Sequence, residues 1–111
     1  MDLARLGDAV EDILDRQGME HTSEQHGLIV AEEAGEAARA VLKMSQGIRG
    51  TREYWDGELE KELAGVVLAA AACATHHGIN LEVAVARHLA ELVSLPPGAL
   101  SAPRGPHEVR V

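Results

Sequence analysis

Acidic side chains recur in two stretches of this chain at spacings that would place them on common helix faces. Glu32, Glu33 and Glu36 lie among small apolar residues, and Glu58 and Glu62 are four residues apart. In an α-helix, Glu33 and Glu36 project within about 60° of one another, and Glu32 and Glu36 within about 40°. Carboxylates that converge repel one another unless a cation neutralises them, and their hard oxygen atoms suit Mg²⁺ or Mn²⁺. These glutamates are therefore candidate metal ligands, with a solvated acidic surface as the alternative.

Hydrophobic periodicity places the glutamates on helices, because apolar residues recur every three or four positions along most of the chain. Asp2, Thr22 or Ser23, Asp56 and Asn80 suit helix N-termini, and Gly18 and Gly78 suit helix ends. The sequence thus predicts an all-α fold of four helices. They cover about residues 3–17, 22–44, 56–77 and 80–95, with a loop over residues 45–55.

Composition indicates one small domain with a core of limited bulk. The 111 residues are 46% hydrophobic and 25% charged, but they include no Phe, one Trp and one Tyr. Small side chains favour close helix contacts and shared interfaces, so we expect a homodimer or homotetramer. Residues 1–95 form the predicted helical domain, and residues 96–111, which contain all four prolines, form a C-terminal tail.

Charge and apolar patterning exclude several classes of partner. The formal net charge is −8 and no segment gathers Lys and Arg, which argues against a nucleic-acid polymer. The longest apolar stretch, residues 66–74, is too short to span a bilayer, and the N-terminus has no apolar leader, so we expect a cytoplasmic protein without a membrane partner. Cys73 is the only cysteine, which rules out an internal disulfide.

An acidic protein that binds phosphates needs basic side chains as well as a cation. Trp55, in the predicted loop with Tyr54, could stack on a base or could cover the end of the helix bundle. The candidate phosphate contacts are Lys43, Arg49, Arg52, Lys61 and Arg87, and for each of them a solvated surface position is the alternative.

Three segments taken together resemble a known family. They are EEAGE at residues 32–36, ELA at 62–64 and GINLE at 78–82. In this order they resemble the motifs of MazG-like nucleoside triphosphate pyrophosphohydrolases, over roughly residues 20–95. The resemblance implies a four-helix MazG-like bundle that is completed by homo-oligomerisation. It also implies Mg²⁺-dependent hydrolysis of a nucleoside triphosphate to its monophosphate and pyrophosphate, through attack of water on the α-phosphorus.

Carried over by position, the resemblance implies roles for individual residues. Glu33, Glu36 and Glu62 fall on metal-ligand positions, and Glu32 lies beside them as a further ligand or a base, so that Glu32 and Glu33 are the candidate catalytic residues. Arg87 lies where the family often has a basic residue.

The chain departs from the family pattern at two positions. Gly65 and Asn80 each stand where the pattern has Asp, and a glycine offers no side-chain oxygen to a cation. Glu58, one turn before Glu62, could supply the missing ligand or could instead stabilise the helix dipole. Two alternatives to an enzyme follow: a catalytically degenerate relative that binds a nucleotide or protein, and a helical interaction module that binds no metal.

The histidines carry a weaker signal. His26 precedes Glu33 by about two turns and is expected at the surface, with a nucleotide contact as the alternative. His76 and His77 are adjacent on a helix and point in different directions, which argues against a metal ion shared by the two.

Overall fold

The structure of the protein, a computed structural model, describes residues 2–20, 22–46 and 52–101, with the backbone alone for Arg52 and Glu53. Throughout these ranges the chain is helical apart from turns, which confirms the predicted all-α class. The four helices are followed by a short 3₁₀ turn, Ala99–Ser101. They are α1 Leu3–Arg16, α2 Ser23–Gln46, α3 Arg52–His76 and α4 Leu81–Val93.

Local capping signals account for the helix ends. The side chains of Asp2, Thr22 and Asn80 each accept a hydrogen bond from a backbone N–H two or three residues on, at 3.0, 3.1 and 3.2 Å. These bonds satisfy N–H groups that have no partner within the helix. Gly18 and Gly78 follow α1 and α3 with φ of 70° and 67°, a left-handed conformation that favours glycine.

The predicted loop over residues 45–55 is wrong at both ends. The second helix continues to Gln46, and α3 begins at Arg52, so that Tyr54 and Trp55 lie in its first turn. Asp56, which was predicted to cap this helix, therefore lies inside it. The segment from Arg52 to Asp56 contains neither glycine nor proline, and nothing in it opposes helical backbone. At the other end of the chain α4 stops at Val93 rather than near residue 95. Residues 102–111 of the predicted tail lie outside the described residues.

Helix α3 is the centre of the fold, with α1 and α2 packed against it and α4 in contact with both α1 and α3. Small residues bring the helix backbones close together. A Cβ atom on Gly7 of α1 would meet the Oγ1 atom of Thr75 and lie 2.6 Å from the carbonyl oxygen of Ala71. In the described residues, the buried apolar core consists of alanines: Ala37, Ala40, Ala69, Ala71, Ala72 and Ala74.

Larger apolar side chains remain at the surface of the single chain. Leu28 of α2 is 69% exposed and Leu89 of α4 is 58% exposed. On α4 a shallow apolar groove is lined by Val85, Leu89 and Leu92, among others. Considered one at a time, the described helices lack the length and apolar character needed to cross a membrane; α3 and α4 reach that threshold only as a pair bent by 113°.

Candidate metal centre

Three glutamates from two helices converge beside the α2–α3 contact. Glu33 and Glu36 belong to α2 and Glu62 belongs to α3, and one carboxylate oxygen from each lies within 4.8 Å of the other two. Glu33 and Glu62 are half-buried, whereas Glu36 is exposed. The structure therefore brings together the three residues that the sequence analysis placed at metal-ligand positions.

Electrostatics at this cluster favour a cation. A hydrogen bond with Glu62 and the like charge of that residue raise the pKa of Glu36 above its ordinary value of 4.5, and desolvation adds to the shift. Lys61 and Arg39 act in the opposite direction without cancelling it. Because two close carboxylates resist losing both protons, a divalent ion between them would relieve the repulsion.

The raised pKa makes the stability of the metal-free protein depend on pH. The folded state binds the Glu36 proton more tightly than the unfolded state does. Protonated Glu36 therefore stabilises the fold below the pKa that the group has in the unfolded chain, and this stabilisation is lost as pH rises through its pKa in the folded protein. We expect Glu36→Gln to raise the urea midpoint of the metal-free protein at neutral pH. The rise in midpoint should be smaller at a pH near 4.5, the ordinary pKa of the carboxyl group. Glu60→Gln, at an exposed position of α3, controls for the lost charge. An equal gain at both pH values would contradict the coupling.

Gly65 lies under the carboxylate of Glu33. A Cβ atom at position 65 would collide with Oε2 of Glu33 and lie 3.2 Å from its Cδ. At this position, where the family pattern has an aspartate, α3 carries no side chain, and the Glu33 carboxylate occupies the space that a side chain would fill. The chain has three converging carboxylates here, and the glycine makes room for one of them.

A cleft of about 610 Å³ adjoins the cluster, within the size range of small-molecule sites. Acidic, basic and aromatic side chains meet in it. Trp55 and Tyr54 pack edge to face with ring centroids 5.0 Å apart, and Nζ of Lys43 lies 5.5 Å from the centre of the Trp55 ring. The lining residues are Glu36, Arg39, Ala40, Lys43, Tyr54, Trp55, Glu58 and Glu62.

Glu58 contributes to the cleft but not to the group of three converging carboxylates. It is the seventh residue of α3, farther from the helix start than the sequence predicted, because the helix begins at Arg52. Its half-buried position fits the inward alternative better than support of the helix dipole.

Three of the other predicted site residues, Glu32, Lys61 and Arg87, do not line the cleft. Glu32 is exposed and lies outside the three-glutamate cluster, and Lys61 is exposed next to Glu62. Arg87 is exposed on α4 and does not line the cleft. Arg49 and the side chain of Arg52 lie outside the described residues, so their roles as phosphate contacts stay predictions.

Sequence reasoning did not select Arg39 as a site residue, although the cleft includes it. The available signal was its spacing, since Arg39 and Lys43 follow Glu36 by three and seven residues and lie on the same side of α2. Comparison of the chain with protein-family models, curated proteins and solved structures finds no match.

Proposed function

We propose that this chain is a MazG-like, Mg²⁺- or Mn²⁺-dependent nucleoside triphosphate pyrophosphohydrolase. The observation that carries the proposal is the convergence of Glu33, Glu36 and Glu62 within 4.8 Å beside a cleft of about 610 Å³. This fits the resemblance of the segments 32–36, 62–64 and 78–82 to the family. Cytoplasmic location, and the absence of a membrane or nucleic-acid partner, are part of the proposal.

The donor set fits a hard divalent cation. All three side chains offer carboxylate oxygens, and the hydrogen bond and like charge of Glu62 already raise the pKa of Glu36. Mg²⁺ is usually held by one or a few carboxylates together with water and substrate phosphates, so three carboxylates at the edge of an open cleft leave room for a triphosphate. When bound, such an ion supplies charge neutralisation and Lewis acidity at the phosphoryl oxygens.

The remaining cleft residues suit the rest of a nucleotide. Arg39 and Lys43 bring two positive charges to the wall that carries Glu36, where they can contact phosphate oxygens. Trp55 and Tyr54 are the chain's only aromatic residues apart from its histidines, and both line the same cleft. A nucleobase can stack on the indole ring because it is flat and apolar and lies beside the phosphate-binding cations.

In the proposed reaction, the oxygen of a water molecule bonds to the α-phosphorus and the bond from that phosphorus to the α–β bridging oxygen breaks. Pyrophosphate leaves, and the products are a nucleoside monophosphate, pyrophosphate and protons. A carboxylate would accept the proton of the attacking water, and the two candidates are Glu33, which lies in the cluster, and Glu32, which precedes it on α2 and is exposed.

Gly65 favours a second candidate, a degenerate relative that binds nucleotide without hydrolysing it. Three carboxylates hold a hard cation less firmly than four, and the space under Glu33 has no side chain of its own. This candidate keeps the cleft, the basic side chains and Trp55 as a binding site.

We further propose that two or four copies associate. The core of the described residues is made of alanine, and leucines and valines of α2, α3 and α4 are exposed in one chain. Burying apolar surface stabilises association by about 25 cal/mol per Å² before entropic costs are subtracted. Sedimentation equilibrium of the full chain should give a dimer or tetramer, and a monomer at all concentrations would contradict this proposal.

The enzyme proposal is tested with the full chain, a panel of canonical and modified nucleoside triphosphates, and Mg²⁺ or Mn²⁺. We expect pyrophosphate and nucleoside monophosphate in equal amounts with at least one substrate, accompanied by a change in the fluorescence of Trp55, the only tryptophan. Orthophosphate as the product would contradict attack at the α-phosphorus.

A panel without pyrophosphate release would overturn the enzyme proposal. A nucleotide-dependent rise in melting temperature would then favour the binding candidate, because a ligand that prefers the folded state stabilises it. If neither activity nor stabilisation is seen, the helical interaction module is left.

A further inference from the structure

A second group of metal-ligating side chains lies where α1, α2 and α3 meet. It consists of Glu11, His26 and His76, one from each helix, with one potential ligand atom apiece within 4.8 Å of the others. Oε1 of Glu11 is 3.8 Å from Nε2 of His26 and 3.9 Å from Nδ1 of His76. This group contains none of the three converging glutamates.

Burial distinguishes this group from a surface cluster. His26 is only 2% exposed, which corrects the expectation that it lies at the surface, and Glu11 and His76 are mostly covered. Oε1 of Glu11 is itself buried and accepts no hydrogen bond from the described residues. A buried carboxylate oxygen without a hydrogen bond is costly, so a partner of another kind is expected there.

We propose that Glu11, His26 and His76 bind a zinc-class transition-metal ion that ties α1, α2 and α3 together. Two imidazoles and one carboxylate are a ligand set for Zn²⁺, with a fourth position left for water. Ligand atoms about 2.0–2.2 Å from Zn²⁺ lie about 3.3 Å apart in a tetrahedral site. The observed 3.8 and 3.9 Å are too long for hydrogen bonds, and each would shorten by about 0.5 Å in that geometry.

The imidazole rings require one adjustment. The rings of His26 and His76 are stacked, with centroids 4.6 Å apart and planes inclined by 29°. Since an imidazole lone pair lies in its ring plane, the two lone pairs lie in different, nearly parallel planes. The χ2 torsion of histidine has broad minima, and tilting the rings about it would direct both nitrogens at one ion. Since the three residues come from three helices, an ion bound to them would cross-link α1, α2 and α3 near the C-terminal end of α3.

The test is a competition titration of the full, metal-free chain with Zn²⁺ against a chromophoric chelator. We expect one tight site per chain, and His76→Gln or Glu11→Gln should weaken it by roughly 100-fold or more, because changes even to residues behind the ligands cost 10–100-fold. Zn²⁺ should also raise the melting temperature of the unaltered chain but not of His76→Gln. His76, whose side chain is 23% exposed, is altered rather than the fully buried His26 so that the variant folds.

Two controls keep this result separate from the function proposed above. His88→Gln removes a 70%-exposed imidazole on α4, and Glu62→Gln alters the three-glutamate cluster; both should leave the tight Zn²⁺ site unchanged. Loss of the site in Glu62→Gln alone would overturn the proposal in favour of the glutamates.

The identity of the ligands can be read from the spectrum of the Co²⁺-loaded chain. Nitrogen and oxygen ligation should give visible d–d bands without a thiolate-to-metal charge-transfer band. Sγ of Cys73 lies 3.8 Å from Nδ1 of His77, and these two side chains could bind a soft metal in place of the proposed site. Binding there would give a thiolate-to-metal charge-transfer band. A charge-transfer band, or Zn²⁺ affinity unchanged in both His76→Gln and Glu11→Gln, would overturn the proposal.

Discussion

Replacing Glu62 by Gln is expected to weaken Mg²⁺ and Mn²⁺ binding by roughly 100-fold or more and to reduce pyrophosphate release by a similar factor. The carboxamide keeps the shape of the side chain but loses its charge and one acceptor oxygen. Glu62 is the only member of the cluster that α3 provides, so its loss leaves two ligands on a single helix. Altering residues that merely orient metal ligands lowers metal affinity or activity 10–100-fold, and altering a ligand itself should lower them at least as much.

The same substitution should not destabilise the metal-free protein. Glu62 raises the pKa of Glu36 through a hydrogen bond and through its like charge, so removing that charge relieves repulsion at neutral pH. Isothermal titration calorimetry and a thermal melt in chelator therefore separate loss of the site from loss of the fold.

Glu60→Gln is the matched control for this experiment. It makes the same exchange two residues away on α3, at an exposed position outside the cluster. Its metal affinity and pyrophosphate release should stay close to those of the unaltered chain. If Glu62→Gln bound Mg²⁺ as tightly as Glu60→Gln, the cluster would not be the metal site.

Local signals explain why the helices could be predicted. Asp2, Thr22 and Asn80 cap the helices that the sequence assigned to them, since a capping bond involves residues two or three positions apart. Glu33 and Glu36 share a face for the same reason, because helix geometry alone determines their angle. That Glu62 faces them is a relation between two helices, which the spacing within either helix does not determine, and the family resemblance singled out Glu62 rather than Glu58.

Relations among separate helices were the ones that the sequence did not reveal. Glu11, His26 and His76 are 15 and 50 residues apart in the chain, and no periodicity within one helix links them. The prediction of an exposed His26 was wrong because it considered α2 alone, whereas α1 and α3 both reach that side chain.

The role of Gly65 also depends on a contact between two helices that the sequence did not reveal. From the sequence it is a missing aspartate, which suggests a gap in the metal site. From the structure it is the space that Glu33 occupies, so the glycine affects where an existing ligand lies. A substitution that fills the space tests whether this contact positions Glu33 for metal binding.

Gly65→Ala is accordingly expected to move stability and metal affinity in opposite directions. Alanine is favoured over glycine in a helix interior by about 1 kcal/mol, and the atom that its Cβ meets is the far end of a flexible glutamate, which can move away. The free energy of unfolding should therefore rise by up to about 1 kcal/mol. Displacing the Glu33 carboxylate from Glu36 and Glu62 should weaken Mg²⁺ binding by about tenfold, at the lower end of the cost of mispositioned ligands.

Comparing Gly65→Asp with Gly65→Asn isolates the contribution of a fourth carboxylate. Both side chains displace Glu33 to a similar extent, but only aspartate returns a charged oxygen donor, so Gly65→Asp should bind Mg²⁺ more tightly than Gly65→Asn. Pyrophosphate release by Gly65→Asp but not by the unaltered chain would establish the degenerate candidate. Unchanged Mg²⁺ affinity in Gly65→Ala would instead show that the position of Glu33 over the glycine does not matter, because a ligand pushed out of a working site cannot leave affinity intact.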